Sequence, residues 1–484
     1  MGVATVNWQG RFAILGWGVS GKASAHALVK RGAQLCAFDG RAREDDQSEN
    51  DANVEFVSEA DSDALAQAVI DWKPDCIVVS PGIPAHHPIF SAAKNAGIEL
   101  IGEVELAWRL QEDSEHAGRP WLCVTGTNGK TTTVGMLGAM LRAAGEDAVE
   151  VGNIGLPICE AIDTDATVFA VELSSFQLHT VSTVSPLASV CLNVDADHLD
   201  WHGSAQAYAA DKAKVYHLTQ KACFYPASDI TVENMVAEAD VVEGARAIGL
   251  TLGIPSISQV GWVEDALVER AFVEKRHMQA QFLAEVDDLR VAYHDGVTDA
   301  ARMDATAAAG LARAFGVPPE AVAKGLRSFT PAHHRRAVIS HAADVTWIDD
   351  SKATNAHAAV ASLSGITPGT AVWIAGGDTK GQEFSDLVAR VAPLLRGVVV
   401  IGKDRSAIVN ALHQRAPQVP FVEVDGHEDW MFSVVNEAVA LSRPGDTVVL
   451  APACASWDQF RSYAQRGDVF RDAVKRLEAN WAAQ

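Results

Sequence analysis

The chain has 484 residues, 48% hydrophobic and 21% charged, with 39 Lys and Arg against 62 Asp and Glu and a formal net charge of −23. That apolar content can fill several cores, and at roughly 150 residues per domain about three domains are expected. The acidic balance argues against nonspecific nucleic-acid binding, so anionic ligands must be held by local cations and helix ends. No apolar run reaches the roughly 18 residues of a membrane span, and residues 1–8 lack the basic-then-apolar pattern of a signal peptide. Seven scattered cysteines with no C-x-x-C pair read as reduced core thiols of a cytoplasmic protein.

Residues 11–15 read as a strand entering the turn Gly16-x-Gly18-x-x-Gly21, followed by a helix over 22–31 and a strand over 34–38 that ends at Asp39. Glycines with an acid about 20 positions further on form the dinucleotide fingerprint. No hydride-transfer site accompanies it and a second nucleotide loop follows, which favours a cradle for some other phosphate or ribose over an NAD site. A strand over 75–79 runs into Ser80-Pro81-Gly82-Ile83, at the kind of strand end where open α/β sheets bind ligands. Polar residues 112–120 mark a linker.

Residues 121–124 form a short buried strand and 134–141 a helix, with Gly126-Thr127-Asn128-Gly129-Lys130-Thr131-Thr132 between them. Strand, glycine turn, Lys-Thr and helix make a phosphate cradle. Backbone N–H groups face the anion, Lys130 adds a charge, and Thr131 offers an oxygen to Mg²⁺. Val124 stands where the common G-x-x-x-x-G-K-[ST] loop has its first glycine, so this is a shorter variant.

A strand over 167–171 delivers Glu172, either a ligand for the nucleotide's Mg²⁺ or a solvated strand-end acid. A strand over 188–192 leads into Asp195, Asp197, His198, Asp200 and His202. His198-x-x-x-His202 permits zinc, whereas the oxygen-rich surroundings favour Mg²⁺. Tyr208, Lys212 and Tyr216 recur at i, i+4 and i+8 on one helix face; by residue type Lys212 and Lys214 are equally eligible for a role. Residues 253–299 are acidic and poor in motifs, and helices are expected over 304–315 and 318–329 before a break at Thr330-Pro331.

The last third opens with His333-His334-Arg335-Arg336, usable against phosphate or as a solvated face. Strands over 345–348, 372–375 and 447–450 then end in Asp349-Asp350-Ser351-Lys352-Ala353-Thr354-Asn355, in Gly376-Gly377-Asp378-Thr379-Lys380 and in residues 451–460. Each is followed by a helix, which makes a third α/β layer with its own ligand edge.

The set formed by the Gly126 loop, Glu172-Leu-Ser-Ser-Phe-Gln-Leu, Asp197-His-Leu-Asp, Asp350-Ser-Lys-Ala-Thr-Asn and Pro452-Ala-Cys-Ala-Ser-Trp-Asp-Gln-Phe resembles the Mur ligases of peptidoglycan synthesis. The resemblance runs in order from about residue 11 to residue 470. The loop alone is similar in folylpolyglutamate synthases; Ser-Ser-Phe-Gln, Asp-Ser-Lys-Ala-Thr-Asn and Ala-Cys-Ala-Ser-x-Asp-Gln-Phe resemble the branch of the family that adds D-glutamate. The implied fold class is α/β in three domains: a Rossmann-like domain for the UDP-substrate (1–107), a central P-loop-type ATPase domain (108–330) and a Rossmann-like domain that binds the amino acid and closes (331–484). The implied activity is ATP-dependent amide formation between UDP-N-acetylmuramoyl-L-alanine and D-glutamate through an acyl phosphate, with two Mg²⁺ ions. A cytoplasmic monomer is implied, with no nucleic-acid partner and no membrane insertion.

Carried over residue by residue, the resemblance implies UDP-substrate contacts at Val19, Ser20, Asp39, Arg41, Ser80, Gly82 and Asn153. ATP contacts are implied at Gly126 to Thr132, Asp304, Arg335, Asp350 and Lys352. Thr131, Glu172, His198 and an N-carboxylated Lys212 become metal ligands; Lys212 is chosen over Lys214 by its place four residues after Tyr208. Thr354, Lys380, Ser456, Trp457 and Tyr463 become the D-glutamate pocket, and Lys130, His198 and Lys212 the catalytic set. Trp457 and Tyr463 replace the Leu and Phe more usual at those positions. The family's His-Asn-x-x-Asn motif reads Ala300-Ala301-Arg302-Met303-Asp304 here, so Asp304 matches only its last position.

Overall fold

The computed structural model describes residues 7–41, 54–195, 197–293, 296–426 and 429–482; the side chain of Asp200 lies outside the described set. Two compact units are present, one of residues 1–288 with 303–328 and one of residues 289–302 with 329–484.

The first unit holds two sheets. The first sheet contains β1 (Arg11–Leu15), β2 (Gln34–Asp39), β3 (Glu55–Ser58), β4 (Cys76–Val79) and β5 (Glu99–Gly102), in the order β3-β2-β1-β4-β5 and parallel throughout. The strand order reverses between β1 and β4, the place where doubly wound sheets open a crevice. Gly16 and Ser80 meet there.

The second sheet contains β6 (Trp121–Thr125), β7 (Ala148–Gly152), β8 (Val168–Glu172), β9 (Ala188–Cys191), β10 (Ala222–Pro226), β11 (Arg246–Leu250), β12 (Gln259–Val263), β13 (Ala266–Glu269) and β14 (Gln281–Glu285). Its order is β14-β13-β12-β11-β10-β9-β6-β8-β7, parallel from β7 to β12 and antiparallel beyond. β6, which feeds the glycine loop, is flanked by β8 and β9 and fully buried, as its run of apolar residues requires. The motif-poor stretch builds the antiparallel end of this sheet, anchored where Trp262 donates through Nε1 to Thr306 Oγ1 at 2.9 Å.

Helix Lys130–Ala143 starts four residues before the expected position, directly at the loop. The run Thr131-Thr132-Thr133 has low helix propensity and hid this first turn from the sequence. Gly325 lets helix Pro319–Ser328 press against it, since a Cβ there would stand 2.5 Å from Met140 Cα.

The polar stretch expected as a linker is tied down. Trp121 packs edge-on against Trp108 at 5.1 Å and donates to Gln111 Oε1, while Gln111 donates to the Arg119 carbonyl. Glu105 accepts from the backbone and hydroxyl groups of both Ser182 and Thr183, and from Arg109.

The third sheet, in the second unit, contains β15 (Ala337–Ser340), β16 (Thr346–Asp349), β17 (Ala371–Gly376), β18 (Leu395–Ile401), β19 (Phe421–Glu423) and β20 (Thr447–Leu450), in the order β15-β16-β20-β17-β18-β19. Only the β15–β16 pair is antiparallel. Buried side chains cover both faces, with Trp373 in one core and Trp347 in the other. Among the described residues no helix is long and apolar enough to cross a membrane.

Candidate active site

The loop after β6 is shaped by two glycines in the left-handed region, Gly126 at φ +151° and Gly129 at φ +87°. A Cβ on Gly129 would stand 2.4 Å from Asp304 Oδ1, so Asp304 lies directly over the loop, where it also accepts from Thr133 Oγ1 at 3.3 Å. Asn193 pins the turn from the other side. Its carbonyl accepts from Thr127 N at 3.0 Å and its Oδ1 from Asn128 N at 2.9 Å. Thr127 Oγ1 lies 2.9 Å from the Tyr208 hydroxyl. Gly129 caps helix Lys130–Ala143 without a side-chain cap hydrogen bond, so the helix N-terminus opens directly at the loop, where its dipole favours an anion. Thr132 follows, half-buried in the first turn.

Two lysines converge on one carbonyl. Lys130 Nζ donates to Gly126 O at 2.7 Å and to Thr127 O at 3.0 Å; Lys212 Nζ donates to the same Gly126 O at 2.7 Å. Lys212 is 1% exposed, and burial together with the neighbouring Lys130 pulls its ammonium down to about 7. Tyr208, one helical turn earlier, places its ring 4.8 Å from that nitrogen. Tyr216 falls outside the helix that carries Lys212, which ends at Ala213. It sits in the 3₁₀ turn Lys214–Tyr216, buried, and donates its hydroxyl to the Phe224 carbonyl.

Glu172 ends β8 with 1% exposure. Its Oε2 accepts from Thr131 Oγ1 at 2.8 Å and its Oε1 from Asn153 Nδ2 at 2.9 Å. A buried carboxylate flanked by a hydroxyl is a hard-oxygen set suited to Mg²⁺. Asn153, expected beside the UDP-substrate, thus has its side chain on the Glu172 carboxylate.

His198 adopts φ +53° and its ring packs 4.7 Å from Phe176. His202 is already committed on both ring nitrogens: Nδ1 lies 3.0 Å from Asp211 Oδ2 and Nε2 3.0 Å from Ser175 Oγ. Burial lowers its proton affinity, and both ring nitrogens are engaged by Asp211 and Ser175 rather than paired with His198. Asp211 also receives His179 Nδ1 at 2.8 Å and Lys214 Nζ at 3.0 Å. The network locks the Ser-Ser-Phe-Gln turn, whose Ser174 and Gln177 form a reciprocal capping box, to the helix carrying Lys212. Lys214, the other eligible lysine, is spent here. Among the described residues no group of three His, Cys, Asp or Glu side chains forms a ready metal cage.

In the crevice of the first sheet, Ser80 Oγ donates to the Gly16 carbonyl at 2.7 Å, and a Cβ on Gly21 would stand 2.0 Å from that oxygen. Gly18 and Gly82 face open space. Val19, 73% exposed, and half-buried Ser20 begin a helix that Gly18 leaves without a side-chain cap. Asp39 spends one oxygen on Trp17 N at 2.7 Å and the other on Arg41 N at 2.9 Å, while the Arg41 side chain stays exposed. Here the acid shapes the loop.

In the second unit the loops after β16, β17 and β20 share one sheet edge. Asp378 and Ala455 exchange two backbone hydrogen bonds at 2.9 Å, which joins the Lys380 turn to the Ser456 turn. Ser456 is buried, Lys380 is exposed at φ +49°, and Trp457 is 71% exposed. Lys352 Nζ sits 3.8 Å over the Tyr463 ring, and the half-buried Thr354 follows it. Asp350 is pushed up to about 6 by burial, against the pull of Arg335 and Arg336. His334, expected beside phosphate, is instead buried against Asp349 Oδ2 at 2.7 Å, with Gly467 leaving room for its ring.

Arg466 was not singled out from the sequence. It is 1% exposed and donates to Ser351 Oγ and O, Cys454 O and Ala455 O at 2.9–3.2 Å. Among the described residues it pairs with no carboxylate, and burial lowers it to about 10. Its only sequence signal is Gln465-Arg466-Gly467 shortly after the last motif.

Comparison with known proteins finds three family descriptions in chain order: Mur ligase MurD-like, N-terminal domain, over residues 10–102; Mur ligase middle domain over 124–249; and Mur ligase, glutamate ligase domain over 334–454. A UDP-N-acetylmuramoylalanine--D-glutamate ligase from Streptomyces coelicolor is 48% identical over 473 residues, covering 96% of this chain and 98% of the relative. The protein of the same name from Thermobifida fusca is 44% identical over 472 residues, covering 96% and 98%. Among solved structures, the MurF ligase from Thermotoga maritima in complex with ADP shares the fold at a TM-score of 0.58 and 15% identity, covering 98% of this chain and 100% of that one.

Proposed function

The chain belongs to the Mur ligase family, ATP-dependent amide ligases, and from this premise we propose that it joins D-glutamate to UDP-N-acetylmuramoyl-L-alanine with conversion of ATP to ADP and phosphate. The observation that carries the proposal is the convergence of Lys130 and Lys212 on the Gly126 carbonyl, beside the Thr131–Glu172 pair.

In the first step the alanyl carboxylate attacks the γ-phosphorus of ATP, giving an acyl phosphate and ADP. In the second the amine of D-glutamate attacks the acyl carbon, the amide forms, and phosphate leaves with the electron pair of the broken C–O bond. Lys130 exchanges its two loop carbonyls for the β- and γ-phosphate oxygens, and the helix N-terminus faces the same anion with the positive end of its dipole. Thr131 and Glu172 would hold one Mg²⁺, and His198 with Lys212 a second; such ions supply positive charge against the transferring phosphoryl group. Lys212 as an ammonium cannot ligate. With its proton affinity lowered to about 7, a large fraction is neutral amine near neutral pH. That amine adds carbon dioxide with release of a proton, and the resulting carbamate offers hard oxygens.

The crevice at Val19, Ser20, Ser80 and Gly82, with Asp39 and Arg41 at its far end and Asn153, takes the UDP-substrate. Asp304, Arg335, Asp350 and Lys352 contact the nucleotide. Thr354, Lys380, Ser456, Trp457 and Tyr463 take D-glutamate, with the exposed Lys380 ammonium answering a carboxylate. Domain limits at 107/108 and 330/331 and a cytoplasmic monomer complete the proposal, the latter in keeping with seven free, buried cysteines. The test incubates purified protein with ATP, Mg²⁺, UDP-N-acetylmuramoyl-L-alanine and D-glutamate. Phosphate release is expected only when both acceptors are present; release that ignores either one overturns the assignment.

A further inference from the structure

We propose that the second unit carries a nucleoside-binding pocket of its own, at the carboxyl ends of β18 and β19, which takes an aromatic base and its vicinal diol. Read outward, β19-β18-β17-β20 is a parallel 3-2-1-4 arrangement, since β17, β18 and β19 are consecutive and β20 lies on the other side of β17. In sheets of this order a glycine turn follows the first strand, and the ends of the second and third strands receive ribose and base. Gly376 and Gly377, at φ +123° and +135°, form that turn after β17. The residues proposed for ATP and D-glutamate lie around the ends of β16, β17 and β20. The ends of β18 and β19 carry none of them.

A cavity of about 650 Å³ occupies this place, within the range of small-ligand sites. Gly402 opens it at φ +107°. A Cβ there would stand 2.7 Å from Gly377 N and 3.4 Å from Asp458 Oδ2, so the backbone approach is kept clear. Asp458 accepts from Lys403 N at 3.0 Å through Oδ2, while its Oδ1 is buried with no donor among the described residues. A buried carboxylate oxygen without a donor is costly, and a ligand hydroxyl answers it. Trp430, half-buried against Phe460 at 5.6 Å, lines the same cavity and offers an indole for stacking. Arg405 is already bound to Glu423 at 3.0 Å and to Asp425 at 2.5 Å. Among the described residues the wall therefore carries two cations, Lys403 and Arg405, against two carboxylates, Asp425 and Asp458. This balance favours a neutral nucleoside over a polyphosphate, which separates the pocket chemically from the loop at Gly126.

Adenosine titrated into the full chain by calorimetry is the test, with 2′,3′-dideoxyadenosine as the probe of the diol. Saturable binding of adenosine is expected, at least tenfold tighter than that of the dideoxy analogue. Trp430→Ala and Asp458→Asn should each weaken adenosine at least tenfold, while Trp430→Ala keeps ligase turnover and the KM for ATP within twofold. Wild-type affinity in both variants would place adenosine elsewhere and overturn the proposal, as would the absence of saturable binding or equal affinity for the dideoxy analogue.

Discussion

At the residue scale, Lys212 shows how burial turns an ordinary side chain into a reagent. A lysine with a normal proton affinity is almost wholly charged at neutral pH; one lowered to about 7 is half neutral there, and its neutral fraction falls about tenfold for each pH unit below. Carbamate loading should follow that fraction. Enzyme held in carbon-dioxide-free buffer at pH 6 should lose ligase activity and regain it with bicarbonate at pH 8, as read by phosphate release. Lys212→Ala should cost on the order of 10²–10³-fold or more in turnover, with partial rescue by small carboxylates. The His202 bridge makes a different prediction. His202→Ala removes the ring partner of Ser175 Oγ and one of the two ring nitrogens on Asp211 Oδ2, which keeps His179, at a cost of about 1–3 kcal/mol in urea unfolding. The double variant Ser175→Ala/His202→Ala should be clearly sub-additive because both act on one bond. Lys130, Thr131 and Glu172 were legible in the sequence because spacing along a strand–turn–helix fixes their neighbours. Asp211 and Arg466 were not, since their meaning lies in partners such as His179, 32 positions away, and Ser351, 115 positions away.

At the element scale, helix Glu103–Glu112 begins with a buried acid. Glu103 is 3% exposed, accepts from Cys159 N at 2.7 Å, and is pushed up to about 7 by burial. The folded state therefore binds a proton that the unfolded chain releases above about pH 4.5. Stability contributed by this group is full below that value and is lost as pH rises through 7, the ionised acid costing on the order of 3 kcal/mol above it. Glu103→Gln should raise the unfolding free energy by about that amount at pH 8 and by much less at pH 5, in matched denaturant titrations. The same scale explains why the meander after β11 was not read from sequence. The β12–β13 hairpin turns on Glu264-Asp265, with Glu264 at φ +55°, in place of the Asn-Gly or Asp-Gly pair that announces such turns. Parallel strands with polar turns at their ends gave the opposite case: apolar runs followed by Gly, Ser, Thr and Asp were plain in all three sheets.

At the scale of the whole molecule, a net charge of −23 opposes the approach of ATP and a UDP-sugar, both anions. Added salt screens that long-range repulsion before it weakens short contacts inside the cradle. KM for the UDP-substrate at fixed free Mg²⁺ should therefore fall as KCl rises from about 10 mM to about 150 mM; a monotonic rise would show that local cations already dominate the encounter. Three sheets were foreseeable from alternating strand and helix signals, but the division into compact units was not. Residues 289–302 join the second unit although they lie within the sequence of the first, an allocation made by tertiary packing alone. Within that second unit, the carbonyls gathered around Arg466 come from the Ser351 turn and the Cys454–Ala455 turn. Neither turn can shift without stripping partners from a buried guanidinium. A compound that gripped the backbone of these turns would thus meet a surface with few escape routes: resistance would have to arise from side chains at its edge, because substitutions that move the turns would also unfold what they hold.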